Sequence, residues 1–67
     1  MFVPNGYPNG TKFRLKKDVS VLGGKFLKGS IMTVIGHSYR GYDFEDENGE
    51  RLLETGLMDF DKYFQKI

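Results

Sequence analysis

Carboxylates are the most concentrated chemical groups in this sequence: Asp43, Glu45, Asp46, Glu47, Glu50 and Glu54 fall within twelve residues. Paired carboxylates can hydrolyse a glycosidic bond, one as acid and the other as base or nucleophile, but only across a cleft that holds the sugar. A chain of 67 residues leaves little material for such a cleft. His37, Ser38 and Asp43 supply the letters of a nucleophilic triad. Adjacent residues on a strand point to opposite faces, however, so His37 and Ser38 cannot converge on one substrate atom. With no cysteine and one histidine there is neither a disulfide framework nor a thiolate zinc site. The expectation is a protein without enzymatic activity, cofactor or metal.

The second chemical group is cationic. Lys12, Arg14, Lys16, Lys17, Lys25 and Lys28, with Tyr7, Phe26 and Tyr39 close in sequence, have the makings of a phosphate-contacting surface with stacking aromatics. Nucleic-acid-binding domains commonly have a pI above about 9. This chain, near 8.0, meets that criterion poorly. Residues 1–40 carry seven Lys/Arg against Asp18 alone, and residues 41–67 carry eight Asp/Glu against Arg51, Lys62 and Lys66, so the halves stand near +6 and −5. Basic and acidic strands lying side by side would compensate one another. Segregated, they would offer a basic face to an anionic partner. The acidic run has two readings of its own: protection of a sheet edge, or mimicry of a polyanion toward a basic protein.

Positioning these groups requires a fold, and the sequence points to a small β domain. Residues 1–10 hold both prolines and two Asn-Gly pairs, the composition of an irregular lead-in. Phe2, Val3 and Tyr7 give that lead-in something to dock with. Lys12-Phe13-Arg14-Leu15-Lys16 alternates cation with apolar residue, the period of a half-buried strand. Residues 17–29 read as a long excursion folding back as an irregular hairpin, its glycines supplying unusual backbone angles, with Phe26 and Leu27 tucking in its tip. The stretch from Gly24 to Gly36 is the organiser, a glycine-bounded loop entering Ile31-Met32-Thr33-Val34-Ile35. That segment reads as a strand buried on both faces, with Met32 and Val34 directed inward. Tyr42-Asp43-Phe44-Glu45-Asp46 alternates aromatic with acid, and Asn48-Gly49 predicts a tight hairpin turn with positive φ before the return strand Arg51-Leu52-Leu53-Glu54. Apolar residues at 57, 60, 63, 64 and 67 fit a helical face. A last strand is needed to cover an edge, so a 3₁₀ or short helical turn around 57–60 and an extended piece at 62–66 are expected. Six Phe and no Trp make the expected core Phe-rich.

Five short strands, a glycine-containing excursion after the first, an apolar second strand, an Asn-Gly hairpin and a helical turn before the end together resemble an SH3-like barrel over residues 11–67. Phe26-Leu27-Lys28-Gly29-Ser30-Ile31-Met32-Thr33-Val34-Ile35-Gly36 is similar to the phrase with which many bacterial and phage SH3-like domains enter the second strand. The resemblance implies an all-β, five-stranded barrel that hosts a binding function. Peptide-binding SH3 domains present an Ala-Leu-Tyr-Asp-Tyr-type first strand and a groove Trp. This chain has Lys12-Phe13-Arg14-Leu15-Lys16 and no Trp, which disfavours Pro-rich ligands. Val19-Ser20-Val21-Leu22-Gly23-Gly24 is loosely similar to KOW-type barrels, which implies nucleic acid as the alternative partner, although a second glycine shortly after Gly29 is missing.

The favoured expectation is a small binding module that engages a protein as adaptor or inhibitor, by analogy a phage or mobile-element accessory protein. Its contact residues are expected to be Phe26 at the loop tip and Tyr39, Arg40 and Tyr42 beside the hairpin, since aromatics and Arg dominate hot spots. No apolar run reaches the roughly 18 residues of a membrane span, and no basic stretch precedes an apolar leader. The expected location is the cytoplasm.

Overall fold

A computed structural model of the chain describes residues 6–21 and 24–67. The expectations for Phe2 and Val3, and for Leu22 and Gly23 within the hairpin, lie outside the described residues. Among the described residues, seven strands form two sheets. β1 (Lys12–Leu15), β4 (Ile31–Ser38), β5 (Gly41–Glu45), β6 (Arg51–Leu52) and β7 (Phe64–Lys66) make an antiparallel sheet in the order β6-β5-β4-β1-β7. β2 (Val19–Val21) and β3 (Gly24–Phe26) form a separate hairpin, as the excursion predicted. The protein is therefore mostly β, with one short helical region near its C-terminus. The edges of the large sheet, β6 and β7, are not bonded to each other.

Alternation dictates which side chains are buried. On β1, Phe13 and Leu15 turn inward while Lys12 and Arg14 turn to solvent. Cross-strand register carries the same division onward: Phe13 faces Met32, Val34 faces Phe44, Phe44 faces Leu52 and Leu15 faces Phe64. These residues, with Val19, Phe26 and Tyr42, are the core. Met32 and Val34 occupy the inner face as expected, but Ile31 and Ile35 are only half-buried. β4 thus has one buried face and one outer face. Ile31 lies on the outer face, beside its cross-strand partner Arg14, which is exposed.

Aromatic packing fills the interior. Phe44 stacks on Phe64 at 4.6 Å, Phe60 stacks on Phe64 at 5.2 Å, and Phe13 meets Phe44 edge-on at 5.8 Å. Tyr7 ties the lead-in down, edge-on to Phe13 at 5.0 Å and stacked on Phe60 at 5.9 Å. Gly10 N–H also donates to Val34 O at 2.8 Å, which fastens the same segment to β4.

Two local features refine the sequence reading. The Asn48-Gly49 turn is a three-residue loop in which Gly49 alone has positive φ, +82°. Its geometry is set by Asp46, whose Oδ1 accepts the N–H groups of Asn48 and Glu50, each at 2.9 Å. The C-terminal apolar spacing is divided between a 3₁₀ turn at Thr55–Leu57 and a single helical turn, α1 (Phe60–Tyr63), which Asp59 caps through Lys62 N–H. β7 then continues in extended form along β1. Among the described residues no helix is long and apolar enough to cross a membrane.

Candidate functional site

The turn Tyr39-Arg40 between β4 and β5 is built on a close approach of two backbone segments. Gly41, at φ +110°, packs against Gly56 so tightly that a Cβ there would overlap Gly56 N and lie 2.6 Å from Gly56 Cα. Gly56 N–H donates to Arg40 O at 2.9 Å, and the buried Thr55 hydroxyl donates to Tyr42 O at 2.9 Å. These contacts lock the turn to the 3₁₀ segment. On the outer side Arg40 Nε donates to the Tyr39 hydroxyl at 2.9 Å, and its Nη1 pairs with Glu54 Oε2 at 3.2 Å. The Arg40 guanidinium also lies over the Tyr39 ring, 5.3 Å from its centroid. The Tyr39 hydroxyl, and then the Glu54 carboxylate, raise the Arg40 pKa further and hold it in its charged form.

Glu54 is itself unusual. Among the described residues it is the single non-glycine with positive φ, 59°, a conformation that costs an L-residue about 1–2 kcal/mol. Its N–H donates to Asp43 Oδ1 at 2.8 Å, which helps to hold the strained backbone in place. The result is an ordered exposed cluster: an aromatic ring, a guanidinium clamped between two acceptors, and a hollow of about 310 Å³ lined by Tyr39, Arg40, Glu54 and Leu57.

Leu57 belongs to a second and larger depression as well. A groove of about 460 Å³ runs between the segment Asp18-Val19-Ser20-Val21 and a wall made by Leu57, Met58, Asp59, Lys62 and Tyr63. Leu57 is 86 % exposed, Tyr39 77 % and Val21 41 %, so three large side chains present apolar surface along these two hollows. Sequence reasoning missed Leu57 and Tyr63 because their spacing looks like the buried stripe of a helix, and Met58 because it falls outside that stripe. The available signal was Gly56, which interrupts the pattern immediately before Leu57.

The other expected site residues are placed as follows. Phe26 and Tyr42, expected at the surface, are each 3 % exposed and belong to the core. The β2–β3 register sets Phe26 opposite the buried Val19, and Tyr42 lies on the inner face of β5 beside Phe44. A bulge between Val34 and Gly36 shifts β4 by one residue and brings His37 to the Tyr42 side, 6.1 Å between ring centres. Of the four contact residues read from sequence, Tyr39 and Arg40 remain at the surface. Lys12 and Arg14 lie on the outer face of β1, where Lys12 Nζ donates to Thr33 Oγ1 at 2.9 Å. In the same cross-strand row, beyond Thr33, Glu45 pairs with Arg51 at 3.4 Å. Basic β1 and acidic β5 thus flank β4 on one face and share it. Lys16, Lys17, Lys25 and Lys28 are exposed around the hairpin, distributed over the bend between β1 and β2, β3 and the following turn.

Compared with known proteins, the chain matches no family model, no curated protein and no solved structure.

Proposed function

We propose that the chain is a non-enzymatic binding module of SH3-like architecture that engages a protein partner, as an adaptor or inhibitor, across the surface running from the β2 groove over Leu57 to Tyr39 and Arg40. The observation that carries this reading is the exposure of Leu57 on the ridge shared by the two hollows. Covering a leucine side chain is worth about 1.5–3 kcal/mol, and contiguous apolar surface on a small domain marks a site of interaction. Tyr39 and Arg40 beside it are the residue types that dominate hot spots, and Arg40 is already held in one geometry, which lowers the ordering cost of contact. What supports the SH3-like reading is the sheet order β6-β5-β4-β1-β7, a hairpin excursion directly after β1, and a helical turn before the last strand.

The test is capture from native lysate on the immobilised protein, with and without nuclease, alongside Leu57→Asp and Tyr39→Ala variants. Partners should survive nuclease and be lost with Leu57→Asp, while both variants keep the circular-dichroism spectrum of the parent. Loss of every partner on nuclease treatment, with no effect of Leu57→Asp, would instead assign the function to the cations Lys12, Arg14, Lys16, Lys17, Lys25 and Lys28 and to nucleic acid.

A further inference from the structure

We infer that the larger groove takes an extended segment of the partner polypeptide, added as a third strand on the open edge of β2, with apolar side chains at alternate positions and a lysine or arginine among them. This rests on the protein-binding reading above and names the chemistry of the partner at that site.

The edge is the first reason. β2 pairs with β3 alone, and on its other side Val19, Ser20 and Val21 make no backbone hydrogen bond among the described residues. All three consecutive residues line the groove. Side chains of a strand alternate between faces, so three in succession border a groove only where the backbone edge itself runs along it. Such an edge is a row of donors and acceptors that an extended chain satisfies, which is the basis of strand addition. A polyproline helix could not supply the matching donors.

The walls decide the side chains. Val21 on one side, and Met58, Tyr63 and Leu57 on the other, offer apolar surface to residues that project at alternate positions from an added strand. Among the described residues lining the groove, Asp18 and Asp59 stand on the two walls against Lys62 alone. Each carboxylate spends Oδ1 on a backbone N–H, Lys28 N at 2.7 Å and Lys62 N at 3.3 Å. The excess of negative charge is complementary to a cation on the incoming strand. A second copy pairing through its own β2 is the poorer occupant, because Val19-Ser20-Val21 carries no cation to meet these carboxylates.

The experiment selects a phage-displayed library of random ten-residue peptides against the intact 67-residue chain, then measures selected synthetic peptides by fluorescence anisotropy. Enriched peptides should alternate apolar residues, contain Lys or Arg and lack proline. Val21→Lys in the protein, and N-methylation of alternate peptide amides, should each weaken binding by at least about tenfold, the range of a hot-spot loss. Asp18→Asn with Asp59→Asn should weaken it several-fold and reduce its salt dependence. Circular dichroism checks that each variant is folded. Enrichment of proline-spaced peptides, binding insensitive to N-methylation or to Val21→Lys, no enrichment at all, or self-association of the parent abolished by Val21→Lys would each overturn the inference. If these failures coincide with lysate capture that still depends on Leu57, strand addition is wrong while the protein-binding reading stands. Loss of both readouts removes both.

Discussion

Replacing Gly41 with alanine tests the architecture of the candidate site directly. The substitution places a Cβ over Gly56 N and 2.6 Å from Gly56 Cα, a backbone-to-backbone clash that no rotamer can relieve. It also forces an L-residue to φ +110°. Conformational strain of this kind costs about 1–3 kcal/mol. Separating the segments breaks or stretches Gly56 N–H to Arg40 O and the buried Thr55 to Tyr42 O bond, and an unsatisfied buried group costs a further 1–3 kcal/mol or so. The expected loss is therefore about 2–6 kcal/mol, against a total stability of roughly 3–10 kcal/mol for a domain of this length. Urea titration followed by circular dichroism measures it, with a fall in Tm of at least about 8 °C as a second readout. The control is Gly49→Ala, where φ is +82° and a Cβ meets nothing within 4 Å. That variant pays the conformational term alone, about 1–2 kcal/mol. If Gly41→Ala costs no more than Gly49→Ala, the close packing of residue 41 on residues 55 and 56 does not hold the turn, and the account of how Tyr39 and Arg40 are positioned fails.

Three other outcomes are expected. Met32→Asp places a charge on the fully buried face of β4 and should abolish folding, whereas Ile31→Asp, on the outer face beside Arg14, should leave a folded circular-dichroism spectrum; equal effects would contradict the one-sided burial of the strand. Glu54→Gly relieves the left-handed backbone at the expense of an exposed ion pair worth about 0–1 kcal/mol, so stability should rise by up to about 1 kcal/mol while partner capture weakens; a marked destabilisation would show that the Arg40 pair carries more than a surface salt bridge can. Tyr7→Ala removes the ring between Phe13 and Phe60 and should cost about 2 kcal/mol in urea titration, whereas no change would mean that the lead-in does not contribute to the core.

The sequence alone determined whatever depends on local periodicity or backbone chemistry. The alternation over Lys12–Leu15, the inward direction of Met32 and Val34, the turn at Asn48-Gly49 and the helical turn before the last strand all follow from neighbours a few residues apart. Tertiary structure decided what depends on a partner across the fold. Phe26 was legible as a large aromatic, but its burial required the β2–β3 hairpin to set it opposite Val19. Tyr42 shares the face of β5 with Phe44, and it is buried because the fold packs that face on the core. Leu57 went outward because the helical spacing of the C-terminal segment was divided between a 3₁₀ turn and a single turn of α-helix, which left it facing no neighbouring layer. The two charged halves were legible as composition, yet the sheet order alone set β1 and β5 on either side of β4. Side-chain direction along one strand is a local property, whereas exposure is settled by what the fold brings against that face.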